Sequence, residues 1–122
     1  MIEEETAGSL NFLALREAIE KSDADALLGF YAEDAELRIV NDDAPEGQAF
    51  ELRGRTEIER YLRAVCDQDM TSAVGVEAVK EGRISFSETC EYPDGMRILV
   101  RTTLELRGGR ILRQLDVVER PP

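Results

Sequence analysis

The run GRILRQLDVVE near the end of the chain sets one carboxylate, Asp116, among apolar residues. On the inner face of a curved sheet it would be surrounded by side chains such as Leu37, Ile39, Val100 and Val118. Loss of water there disfavours the charged form and raises the pKa, which makes the group a possible general acid or base near neutral pH. Gln114, two residues earlier and therefore on the same face of a strand, can orient that carboxylate or hold a ligand carbonyl. Thr102 and Tyr61 are further donors, and Tyr31 is a weaker one. Asp116 is thus the candidate catalytic residue, with Gln114, Thr102, Tyr61, Leu15, Ile39, Val100 and Val118 as candidate ligand contacts.

Strand alternation argues the other way. Ile111, Leu115 and Val117 share the face opposite Asp116 and look like the buried set, which would leave the carboxylate in water. The preceding turn bears on the choice. A three-residue Arg107–Gly108–Gly109 turn with Gly109 left-handed supports the inward register, whereas a two-residue turn at Gly108–Gly109 opposes it. Pattern and turn chemistry leave both registers open.

Bulk properties exclude several functions. The chain has 122 residues, enough for one domain with one core. Acidic residues outnumber basic ones by 26 to 15, and a formal charge of −11 repels phosphate backbones and anionic lipid heads, so nucleic acid and membrane are not expected partners. The acidic N-terminus MIEEETAGSL lacks the basic start and apolar stretch of a secretory signal, and no run of about 18 apolar residues could span a bilayer. A soluble, cytoplasmic protein is expected. There is no histidine, which removes the commonest metal ligand and general base, and with them zinc sites, Ser-His-Asp triads and Cys-His dyads. No metal and no cofactor are expected. Cys66 and Cys90 read as reduced core residues on separate elements.

The elements that must position Asp116 follow from periodicity. Ser9 to Lys21 repeats apolar residues at helical spacing, with Ser9 as N-cap. SDADALLGFYAED restarts the pattern as a short helix capped by Ser22 or Asp23, with Leu27, Leu28, Phe30 and Tyr31 on its buried side. AELRIV alternates as a strand, a turn-rich loop follows, and AFELRGR is a second short strand. A third helix runs from Thr56 to Val65 behind a Thr56–Glu59 capping box, with Ile58, Tyr61, Leu62 and Val65 inward. Beyond it the period becomes two. AVGVEAVK, RISFSETCEY, MRILVRTTLEL and RILRQLDVVE read as an antiparallel meander joined by EG, PDG and RGG turns. This order is α+β, with the N-terminal helices on the concave face of a curved, mostly antiparallel sheet: a cone-shaped barrel whose open mouth suits a small ligand.

Three segments carry a family resemblance. DADALLGFYAEDAELRI, LRGRTEIERYL and GRILRQLDVVE resemble the recurring segments of the nuclear-transport-factor-2-like superfamily, particularly its SnoaL-like branch, over about Leu10 to Glu119. The resemblance implies one SnoaL-like domain over residues 1–122, with 1–8 open to disorder, and a homodimer through the sheet. Where ketosteroid isomerase, one branch, has its tyrosine and two aspartates, this chain has Leu15, Ile39 and Thr102, so steroid isomerisation is not expected. Asp116, five positions after Ile111, falls on the catalytic aspartate of the similar limonene epoxide hydrolase. The arginine and aspartate of that enzyme's earlier strand correspond to Ser85 and Ser87, with Glu88 close by. SnoaL-type polyketide cyclases resemble the last strand best. Their acid/base aspartate falls on Asp116, and their pocket-facing polar residue, often histidine, on Gln114. This register puts Asp116 inside.

Two readings follow. In the first, the protein binds a small, mostly apolar molecule bearing a carbonyl or epoxide, with Asp116 shuttling a proton in a cyclase, isomerase or hydrolase reaction. In the second, the same fold is a noncatalytic dimerisation or partner-binding module. Leu99, Leu115 and Val117 on the outer face would suit an isologous dimer under either. Arg53 and Arg55 read as surface charges, Phe86, Tyr92 and Met96 as core or interface, and Asp42 to Glu46 as a solvated loop rather than a calcium site.

Overall fold

A computed structural model of the chain describes residues 10–41 and 49–119, apart from the side chains of residues 76 and 77. Ser9, residues 1–8 and the loop at 42–48 lie outside the described residues. Helix α1 spans Phe12–Glu20, and its cap is Asn11, whose Oδ1 accepts from the Ala14 N–H at 3.1 Å. Helix α2 is a short turn, Ala24–Leu28, capped by Asp23, whose Oδ1 accepts from the Ala26 N–H.

Strand β1 begins earlier than periodicity suggests and covers Tyr31–Asn41. Phe30 ends the helical stretch because its carbonyl accepts from the Ile111 N–H at 2.8 Å, which draws the chain into the sheet. Tyr31 is therefore buried from a strand rather than from a helix. Strand β2, Phe50–Arg53, leads into helix α3, Gly54–Cys66. That helix starts two residues before Thr56. Its first turn is closed by Glu57, whose Oε1 accepts from the Arg53 N–H at 2.8 Å, in place of a Thr56–Glu59 box. Glu59 is engaged with Arg63 instead.

The meander is β3 Thr71–Lys80, β4 Arg83–Glu91, β5 Arg97–Arg107 and β6 Arg110–Glu119. Together the described strands form one mixed sheet in the order β2-β1-β6-β5-β4-β3, antiparallel throughout except for the β1–β6 pair. The sheet is curved and unclosed, and the helices cover its concave face, α3 over β1 and β2 and α1 over β3. Leu37, Ile84, Leu104 and Ile111 of the sheet and Ile58 of α3 are the fully buried large side chains among the described residues. Each contributes about 1.5–3 kcal/mol through lost apolar surface.

The β5–β6 connection decides what β6 presents to the core. Arg107 pairs with Arg110, so the turn has two residues, Gly108 and Gly109, both left-handed at φ 59° and 78°. By itself that turn would place Ile111, Leu115 and Val117 inside. Leu106, however, pairs with Ile111 while Glu105 pairs with Arg113, so Leu112 is an extra residue, a β-bulge. The extra residue reverses the alternation. Ile111 remains inward, 1% exposed, and beyond the bulge Gln114 and Asp116 take the inner face, while Leu115 turns out and is 40% exposed.

A Cβ at a left-handed position clashes with the neighbouring carbonyl, a penalty of about 1–2 kcal/mol. Gly109→Ala is therefore expected to lose about that much stability in urea unfolding. Gly29→Ala, where the backbone is right-handed at φ −64°, is expected to change stability far less.

Candidate functional site

The inner rows of the sheet bring the chemistry together. Register places Phe86, Thr102, Asp116 and Ile39 side by side across β4, β5, β6 and β1, with Glu88 in the next inward row of β4. Over them lie α1 and α3, and between helices and sheet is a cavity of about 90 Å³. Its walls include Leu15 and Ile19 of α1, Tyr61, Leu62 and Cys66 of α3, and Tyr31, Glu88, Thr102, Gln114 and Asp116 of the sheet.

Asp116 is 8% exposed and is held at one oxygen only. Thr102 Oγ1 and Gln114 Nε2 both donate to its Oδ1 at 2.9 Å, whereas Oδ2 accepts no hydrogen bond among the described residues. Gln114 is oriented in turn, because Tyr31 Oη donates to its Oε1 at 2.5 Å and thereby leaves the amide nitrogen for Asp116. Burial pushes the Asp116 carboxyl up to about 6 against the two donors, and the nearby Glu88 adds to the rise. Glu88 is itself held above the ordinary carboxylate range by burial, although Ser72 and Cys90 hydrogen-bond to it. Burial likewise raises the Tyr31 and Tyr61 hydroxyls and pushes the Cys90 thiol up to about 12, so these stay protonated at neutral pH.

Of the residues singled out in the sequence, Asp116, Gln114, Thr102, Tyr61 and Leu15 line this cavity. Ile39, Val100 and Val118 do not. They share the inner face, but Ile39 lies beside Asp116 on β1, and Val100 and Val118 pair with each other one inward row farther along, outside the cavity wall. Tyr31, which periodicity places on a helix as a weaker donor, is central because it enters the site from β1. For Glu88 the sequence leaves the face open. Its parity with Ile84, Phe86 and Cys90, all buried, was the available signal. Arg53 is exposed, and Arg55 donates to the Leu28 carbonyl at 3.2 Å. Phe86 is core and meets Phe12 edge-on, while Met96 is exposed. Both cysteines are free, Cys90 buried and Cys66 half-buried at the cavity. Among the described residues no helix is long and apolar enough to cross a membrane.

An open, curved sheet roofed by N-terminal helices, with a polar group at the bottom of the hollow, defines a cone of the nuclear-transport-factor-2-like class. The profile of the SnoaL-like domain matches residues 12–114, and the chain belongs to that family. A nuclear-transport-factor-2-like protein of Burkholderia xenovorans is similar in structure, with 18% identity over 91% of this chain and 81% of that one, and a TM-score of 0.71. An LEH-like epoxide hydrolase of M. tuberculosis is similar at 17% identity, 93% and 84% coverage, and a TM-score of 0.65. So is a delta 5-3-ketosteroid isomerase of Mycobacterium sp., at 16% identity, 86% and 87% coverage, and a TM-score of 0.63. At these identities the likeness is one of fold. Comparison with curated proteins gives no match.

The buried carboxyl links stability to pH. Asp116 binds its proton more tightly in the folded chain, at about 6, than at the ordinary 3.8. Below about pH 4 it is protonated in both states; between about pH 4 and 6 the unfolded chain ionises first and folding must take the proton back up, so stability falls as pH rises, by roughly 3 kcal/mol once pH passes 6. Asp116→Asn removes that charge and keeps an oxygen for Thr102 and Gln114. The variant is expected to unfold at higher urea than the parent at pH 7, with the difference shrinking toward pH 4.

Proposed function

We propose that the cavity binds a small molecule carrying a carbonyl or epoxide and that Asp116 transfers a proton within it. The observation that carries this reading is the division of labour between the two Asp116 oxygens. Oδ1 is anchored by Thr102 and Gln114, and among the described residues Oδ2 has no donor beside the cavity. A carboxylate held in this way can take a proton from the carbon next to a carbonyl, or from a water that opens an epoxide, and give it back afterwards. A group titrating at about 6 is matched to that exchange near neutral pH. The epoxide hydrolase and the isomerase of similar fold support the class of chemistry. A volume of about 90 Å³, against about 300–1,000 Å³ for drug-sized ligands, limits the ligand to a compact one.

The test is deuterium incorporation at the carbons flanking the carbonyl of 2-butanone in D2O, followed by NMR, with opening of propylene oxide measured in parallel. Wild-type protein is expected to accelerate one of the two, and Asp116→Asn to lose about 10²–10⁴-fold of the acceleration. Equal rates for the two proteins would sink the reading and leave the fold as a binding module.

A second copy of the chain is the proposed partner. Leu99, Leu115 and Val117 lie on the outer face of β5 and β6, opposite Asp116. The charges around them are paired within the chain, Arg101 with Glu119 at 2.7 Å and Arg113 with Glu105 at 3.4 Å, so covering this face isolates none of these charges. A two-fold axis would set Leu115 against its own surroundings. Leu115→Arg is expected to convert a dimer to a monomer by light scattering while leaving the fold intact by circular dichroism.

A further inference from the structure

The cavity is unusual in its balance of charge. Two carboxyl side chains reach it, Asp116 from β6 and Glu88 from β4, on either side of β5. Among the described residues no lysine or arginine lines it, and neither carboxyl is paired with one. Their partners are neutral: Thr102 and Gln114 for Asp116, Ser72 and Cys90 for Glu88, the thiol at 3.4 Å. Arg63, whose helix also contributes to the wall, is turned away to Asp25 and Glu59. Three aromatic residues, Tyr31, Tyr61 and Phe86, complete the lining. Carboxylates drawn from water, Asp116 fully and Glu88 in part, gain most from a ligand that supplies a counter-charge, and aromatic rings favour a cation in the same space.

We propose that the cavity takes a small organic cation, an alkylammonium, whose charged end pairs with the Glu88 carboxylate while the rest of the molecule lies against Asp116. The inference rests on the reading of this cavity as the ligand site and narrows it: the compact carbonyl or epoxide compound carries an amine at its other end, and anions are refused. Glu88 is then a specificity-determining residue, and Asp116 remains the group at the reacting carbon. The other titratable groups facing the pair are Tyr31 from β1, Tyr61 and Cys66 from α3, Cys90 from β4 and Tyr92 just beyond it, and burial raises the pKa of each. Protonation of the two carboxyls therefore sets the pH dependence of binding.

The experiment titrates isopropylammonium, 2-propanol and acetate, matched in size, into wild-type protein and Glu88→Gln, following amide NMR shifts of β4 and β6. The expected result is saturable binding of isopropylammonium by wild type, about tenfold or more weaker at pH 4.5 than at pH 8 as the carboxyls protonate. Glu88→Gln is expected to lose about tenfold at pH 8, and acetate to give no site-specific shift. Equal affinity for 2-propanol and isopropylammonium, tighter binding of acetate, or unchanged affinity in Glu88→Gln would overturn the proposal. The comparison of ligands and of pH in the wild-type protein stands even if the variant does not fold. Binding of 2-propanol with 2-butanone exchange intact would remove the cation and leave the ligand site standing, whereas absence of both would remove the site as well.

Discussion

One inserted residue governs the interior of this protein. Leu112 has no partner on β5, and the slip it introduces turns the rest of β6 over. A strand has a period of two, so a single extra residue exchanges everything on one face for everything on the other. Without it the core side of β6 would be Arg113, Leu115 and Val117, with no carboxylate among them. With it, Gln114 and Asp116 are inside, and the apolar pair becomes part of the outer face. The inward Gln114 and Asp116 and the outward Leu115 and Val117 are therefore two results of one irregularity.

Turning a carboxylate inward has a thermodynamic cost that the surroundings offset only in part. Two hydrogen bonds to Oδ1 favour the charged form, but desolvation is the larger influence, and Glu88 adds a second negative group. A fold selected only for stability would hold an apolar residue at such a position, since an uncompensated buried charge is destabilising. The ordered chain Tyr31 to Gln114 to Asp116 spans adjacent strands and fixes both an amide orientation and which carboxylate oxygen accepts. This combination of instability and preorganisation is characteristic of sites that act on ligands.

The family supplies the frame, and the particular side chains supply the chemistry. Epoxide hydrolase and ketosteroid isomerase folds of similar outline differ from this chain in more than four-fifths of aligned positions. Here the hollow is shallow, about 90 Å³, because Leu15, Phe86, Leu104 and Ile111 fill much of the cone. Size and charge, both local properties, restrict what such a hollow could admit more tightly than fold does.

By itself the sequence determined the order of elements, the fold class, the apolar stripes of α1 and α3, and the pairing of β3 to β6, because hydrophobic period and turn residues are local properties. It also carried the three segments by which the family is recognised. Helix boundaries slipped where caps were chosen by geometry, as at Asn11 and Glu57. The sequence left Asp116 undecided, since the same letters suit either face and the two-glycine turn favoured the wrong one. Tertiary structure decided it through the bulge at Leu112, and in doing so brought Tyr31 and Glu88, 57 positions apart in the chain, to one cavity. Which residues share a face after an irregularity depends on the partner strand, and the partner strand exists only in the folded sheet.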